Sequence, residues 1–150
     1  QIKGISGIDP SVFVDDDGRV YGYWGFEKSY CAEFDPATMA TVKPGTEVIN
    51  DFVSNWHQDG IFRFFEASSI RKIKDKYVFI YSRFAPEGEW GLPETNYTLA
   101  YAWSNSPLGP WNYGGTIIDG RGKEQLPDGN WQITARYGLN PEKPLRWNWL

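Results

Sequence analysis

FFEASSIRKIKDKYVFIYSR, residues 64–83, reads as a β-hairpin with a carboxylate at its head. Ser68–Ile73 sets two isoleucines among polar residues, aromatic and β-branched residues alternate along Tyr77–Tyr81, and Lys74-Asp75-Lys76 supplies the polar turn between them. Glu66 stands just ahead of the first limb. Residues 7–25, GIDPSVFVDDDGRVYGYWG, repeat the arrangement. Asp9 precedes a strand at Ser11–Val14, Asp15–Gly18 turns the chain, and Val20–Trp24 returns, with the Asp17-Gly18 pair favouring a tight hairpin.

Working outward, strands and turns recur at short intervals. Tyr30–Phe34 is a third strand closed by the Asp35-Pro36-Ala37-Thr38 turn, and TEVIN at 46–50 is a fourth. Thr98–Ser104 follows, then the turn SPLGPW and a short strand at Gly115–Ile118. Hairpin after hairpin excludes a parallel α/β sheet and leaves sandwich, barrel or propeller. An acidic residue at each inner-strand start, followed by a meander of about four strands, fits propeller blades best. The predicted fold is all-β, a partial propeller of about two to three blades over residues 1–118. After Asp119 the chain gathers Gly, Pro and Asn and loses alternation, so 119–150 is predicted to be an irregular tail.

Composition narrows the function. The 150 residues carry a net charge of −4 with scattered Lys and Arg, which argues against a nucleic-acid partner. No apolar run approaches the length of a membrane span, and the N-terminal stretch has no signal-peptide h-region. Aromatic residues make up 17 %, including eight Trp, and flat rings serve both a β core and the C–H face of a sugar. Cys31 is the single cysteine, read as a buried structural thiol.

Two carboxylates offered by neighbouring β-units are what acid-assisted glycoside hydrolysis uses. Taken singly, the Asp9-Pro10 turn and the strand residue Glu66 fit plain structural roles equally well, one bonding local backbone and the other facing solvent. The order of motifs decides between the readings. IDPSVFVDDDGRVYGYWG, FFEASSIRKIKDKYVFIYS and LAYAWSNSPLGPWNYGGTIID, in that order over about residues 5–120, resemble glycoside hydrolase family 43. The resemblance implies a five-bladed β-propeller that hydrolyses arabinose- or xylose-containing polysaccharides with inversion. It implies three acidic residues in a central funnel. Glu66, in FFEASS, matches the general acid, and Asp9, in IDPSVF, matches the Asp that tunes the acid's pKa and orients substrate.

The family's third acidic residue, the water-activating base, lies well upstream in a similar Asp-Pro context, and only eight residues precede Asp9. The His-Gly-Ser segment of a later blade has no match either, since the one histidine, His57, lies ahead of Glu66. The expectation is therefore an incomplete catalytic domain of the α-L-arabinofuranosidase or β-xylosidase type, with little turnover of its own. The alternative is a non-catalytic glycan-binding or inactive remnant. The expected partner is a pentose-containing polysaccharide or oligosaccharide, exposed blade edges are expected to favour association with another chain, and family habit points to a secreted or periplasmic setting.

Trp24, Phe26, Trp56 and Phe65 are the candidate sugar-lining aromatics, with inter-blade packing as the competing reading for the two tryptophans and Phe26. Phe64 and Phe65 would supply an apolar wall beside Glu66. His57 and Asp59 make too sparse a pair for a metal, and Asp15, Asp16 and Asp17 form a solvated turn without a bidentate glutamate, so no metal or cofactor is expected.

Overall fold

A computed structural model describes residues 7–58, 60–121, 123–125 and 127–133. The chain builds two four-stranded antiparallel meanders. The first runs β1 (Ser11–Val14), β2 (Val20–Phe26), β3 (Lys28–Phe34) and β4 (Ile49–Asn50). The second runs β5 (Phe64–Ile73), β6 (Lys76–Ala85), β7 (Thr95–Ser104) and β8 (Asn112–Asp119). In both, spatial order equals chain order, the signature of a propeller blade laid down from its inner strand outward. No helix among the described residues is long and apolar enough to cross a membrane.

Local chemistry explains each hairpin. The β1–β2 turn closes where Gly18 N–H donates to the Asp15 carbonyl at 2.9 Å, and register then pairs Val14 with Val20 and Ser11 with Tyr23. Lys74 takes a left-handed conformation in the β5–β6 turn, and Ile73 pairs with Lys76.

The main core lies between the two sheets. Tyr21, Tyr23 and Cys31 of the first blade pack with Phe64, Ile70, Tyr77, Phe79, Tyr81, Ala100 and Ala102 of the second. Phe79 is the hub. Its ring lies 6.0 Å from Tyr23, 4.9 Å from Phe52, 6.1 Å from Phe64, 5.3 Å from Tyr81 and 5.9 Å from Trp111. Polar ties finish the joint. The Tyr23 hydroxyl donates to the Pro107 carbonyl at 2.5 Å. Buried Asp15 accepts from the Tyr77 hydroxyl at 2.5 Å and from Lys72 Nζ at 2.7 Å, so it is compensated. A smaller cluster of Val20, Trp24, Ala32 and Phe34 fills the other side of the first sheet.

Every predicted strand exists, and the differences are in extent. β5 begins at Phe64, four residues before the expected Ser68, because bulges between Phe64, Glu66 and Ser69 break the period-2 pattern. β7 begins at Thr95 instead of Thr98. The expected strand 46–50 shrinks to Ile49–Asn50, since the Thr46 hydroxyl folds back to donate to the Lys43 carbonyl at 2.8 Å. The stretch read as irregular contains a short antiparallel hairpin, β9 (Lys123–Gln125) with β10 (Trp131–Ile133). Residues 134–150 of that stretch lie outside the described residues.

Candidate functional site

Asp9 is set by the end of β2. Gly25 N–H donates to the Ile8 carbonyl at 3.0 Å, so the segment entering β1 is laid along the close of the hairpin. Gly25 must be glycine: its φ is 146°, and a Cβ there would meet the Lys28 carbonyl oxygen at 2.0 Å and Phe64 at 3.3 Å. Asp9 itself is exposed and adopts φ 52°, a left-handed conformation that aspartate tolerates better than most residues.

Glu66 comes from the other blade. It is the third residue of β5, flanked by register shifts on both sides and followed by Ala67 at φ 63°. The bulge aims a half-buried side chain that a regular strand would place elsewhere, a device common beside functional centres. One backbone bond joins the blades here: Glu27 N–H, in the β2–β3 turn, donates to the Phe65 carbonyl at 2.7 Å. Burial pushes the Glu66 carboxyl above the usual glutamate range, and the negative charge of Asp9 pushes it further. The geometry thus pairs an exposed carboxylate with a carboxyl biased toward its protonated form.

Aromatic rings gather on Phe65, the residue before Glu66. Phe65 is only 6 % exposed and backs the site, with its ring edge-on to Phe26 at 5.2 Å and to Tyr97 at 6.3 Å. Phe26 and Tyr97 are 45 % and 50 % exposed, so their rings are open to a ligand. Tyr97 escaped the sequence reading because β7 starts earlier than its alternation implies; a strand read from Thr95 would have shown it.

Trp24 needs correcting. It is 2 % exposed, stacked 5.7 Å from Tyr30 and packed on Phe34, and has no face to give a sugar. Trp56 packs its ring on His57 at 3.7 Å and on Phe84 at 4.8 Å, which leaves it half-buried and mainly structural. His57 Nε2 approaches Glu27 at 3.9 Å, while Asp59 lies outside the described residues. Among the described residues no three His, Cys, Asp or Glu side chains gather as metal ligands.

The family model for glycosyl hydrolases family 43 matches residues 1–134. The chain belongs to that family. Among the relatives it matches, the chain is 28 % identical to a β-xylosidase of Xylanibacter ruminicola, covering 79 % of this chain and 43 % of that protein. It is 30 % identical to xylosidase/arabinosidase 43A of Humicola insolens, covering 79 % and 44 %. The chain therefore spans less than half the length of these curated relatives. A crystal structure of a family-43 arabinoxylan arabinofuranohydrolase from Bacillus subtilis, in complex with cellotetraose, superimposes with TM-score 0.53 at 25 % identity, over 77 % of this chain and 24 % of that one. The two meanders are accordingly two blades of a family-43 β-propeller, and the chain is related to glycoside hydrolases by descent.

Proposed function

We propose that this segment supplies the general acid, Glu66, and the orienting carboxylate, Asp9, of an inverting glycosidase acting on arabinofuranosyl or xylosyl linkages. The observation that carries the reading is the Glu66 environment. A general acid must hold its proton near neutral pH, and burial together with the charge of Asp9 biases Glu66 that way. Asp9 stays exposed, where it can hold sugar hydroxyls, and Phe26 and Tyr97 offer their rings to the pentose. The relatives named for xylose and arabinose support that substrate class. In inversion the acid and the base stand roughly 6.5–9.5 Å apart across a water. On this reading Glu66 and Asp9 bind and protonate the sugar, and the water-activating base is a third carboxylate.

The deciding experiment is a carboxyl NMR titration of Glu66 in the intact chain and in Asp9→Asn, alongside hydrolysis of nitrophenyl and unactivated pentosides. Glu66 should titrate above ordinary glutamate and move down in Asp9→Asn. Any hydrolysis should depend on Glu66 far more for a poor alkoxide leaving group than for nitrophenoxide, which leaves without a proton. Loss of the acid is worth about 10²–10⁴-fold on the unactivated substrate. An ordinary Glu66 titration, indifferent to Asp9, would sink the acid assignment and leave sugar binding without turnover as the function.

A further inference from the structure

A second site opens on the other side of the same sheet. A cavity of about 570 Å³ lies between the β4–β5 connection and the outer part of the second blade, lined by Arg63, Arg83, Glu89, Trp90, Tyr113 and Thr116 among others. Register pairs Phe64 with Arg83 and Glu66 with Ser82, so Arg83 and Glu66 leave the sheet on opposite faces. The cavity is distinct from the Glu66 site although Arg63 is only three residues away.

Its charge is unbalanced. The Arg83 fork grips both oxygens of Glu89 at 2.9 Å, and Arg83 Nε donates to the Ile61 carbonyl at 3.1 Å, so all three nitrogens of this buried guanidinium are engaged. Arg63 adds a second guanidinium to the same carboxylate through one Nη at 3.2 Å. Two cations thus share one anion. The Arg63 side chain is 31 % exposed, and its remaining N–H groups have no partner among the described residues.

A platform stands beside it. Trp90 is 49 % exposed in a single 3₁₀ turn, Glu89–Gly91, and adopts φ 58° and ψ 24°, a conformation rare for a bulky side chain. The turn is held by Gly88 N–H to the Leu92 carbonyl at 2.9 Å and Gly91 N–H to the Gly88 carbonyl at 3.0 Å. The guanidinium groups of Arg83 and Arg121 lie 5.9 and 5.5 Å from the indole centre and fix its orientation. The Tyr113 and Thr116 hydroxyls, 3.1 Å apart, add polar groups that can both donate and accept.

We propose that this cavity binds a uronate-bearing saccharide. The carboxylate takes the free N–H groups of Arg63, the pyranose lies on the Trp90 indole, and the Tyr113 and Thr116 hydroxyls meet ring hydroxyls. A guanidinium matches a planar carboxylate in two-point geometry, and an exposed indole fits a sugar's C–H face. The inference goes beyond the Glu66 chemistry and needs no turnover.

Binding of a glucuronate-substituted xylotriose and of plain xylotriose to the intact chain tests it, read by calorimetry and by the Trp90 indole N–H resonance. The substituted sugar should bind at least tenfold tighter at low salt, and Arg63→Gln should remove that preference. Trp90→Gly, which suits the left-handed backbone and protects folding, should weaken both acidic-sugar binding and the preference. Neither the preference for the acidic sugar nor the shift of the Trp90 resonance should depend on the protonation of Glu66, followed separately by its carboxyl titration, which separates the outcome from failure of the acid assignment. Equal affinity for the two sugars, indifference to Arg63→Gln, or sulfate competing as well as the uronate would overturn the proposal.

Discussion

Truncating Phe79 to alanine tests whether the two blades fold as one body. The ring is fully buried and touches five other rings, two of which, Tyr23 and Phe52, come from the first blade and its connection to the second. Removing a buried phenylalanine costs the transfer of its ring and the cavity left behind, about 3–5 kcal/mol. The neighbours here are large rings fixed on paired strands and collapse poorly, which favours the upper half of that range. With a urea dependence of about 2 kcal/mol/M, the unfolding midpoint should fall by roughly 2 M, one cooperative transition monitored by both Trp fluorescence and far-UV circular dichroism. Phe79→Leu should recover more than half of the loss. Since Asp9 and Glu66 belong to different blades, Phe79→Ala should also let the Glu66 titration drift toward the ordinary glutamate range. A loss below about 1 kcal/mol, or two separate transitions in the unmutated chain, would refute the shared core.

Asp15 makes a pH prediction. Burial alone would raise its pKa, but hydrogen bonds from Lys72, Tyr77 and the Asp16 N–H outweigh it and hold the carboxyl below its ordinary 3.8. A depressed folded pKa gives stability that is present above the unfolded value and lost as pH falls through the folded one. Urea midpoints should therefore drop on acidification below about pH 4, and the drop should shrink in Asp15→Asn. Glu66 acts in the opposite sense: its raised folded pKa favours the fold below the ordinary value of 4.5, and that contribution fades as pH rises through the raised one. Glu66→Gln should flatten this limb of the stability curve. Gly22→Ala should fail to give soluble protein, because its Cβ would sit 1.9 Å from the Phe34 ring, which is itself core.

Much of the fold was legible because short-range chemistry writes it. Alternation in Tyr77–Tyr81 and the Asp17-Gly18 turn depend on neighbours in the chain, and the strands appear where those signals stand. The misplaced start of β5 has a local cause. The bulge around Glu66 abolishes period-2 alternation at the very residue that matters, so β5 looked shorter than it is. Burial was less legible. Trp24 and Phe26 are two residues apart on β2, yet one is stacked in a core and the other faces out, because Tyr30 and Phe34 of the next strand cover only Trp24. The Arg63–Glu89 pairing spans 26 residues and joins a connection to a loop, a juxtaposition that no local pattern announces.

The Glu27 N–H bond to the Phe65 carbonyl offers more than a tie. It is a backbone bond that crosses from the first blade to the second at the residue preceding Glu66. Its amide can exchange with deuterated solvent only when the blades part at that point, whereas amides inside each meander report on the sheets themselves. The chain therefore contains its own gauge of blade separation. Comparing the exchange rate of Glu27 with that of a β6 amide such as Phe79 gives the free energy for parting the two carboxylates, without a label or a substitution.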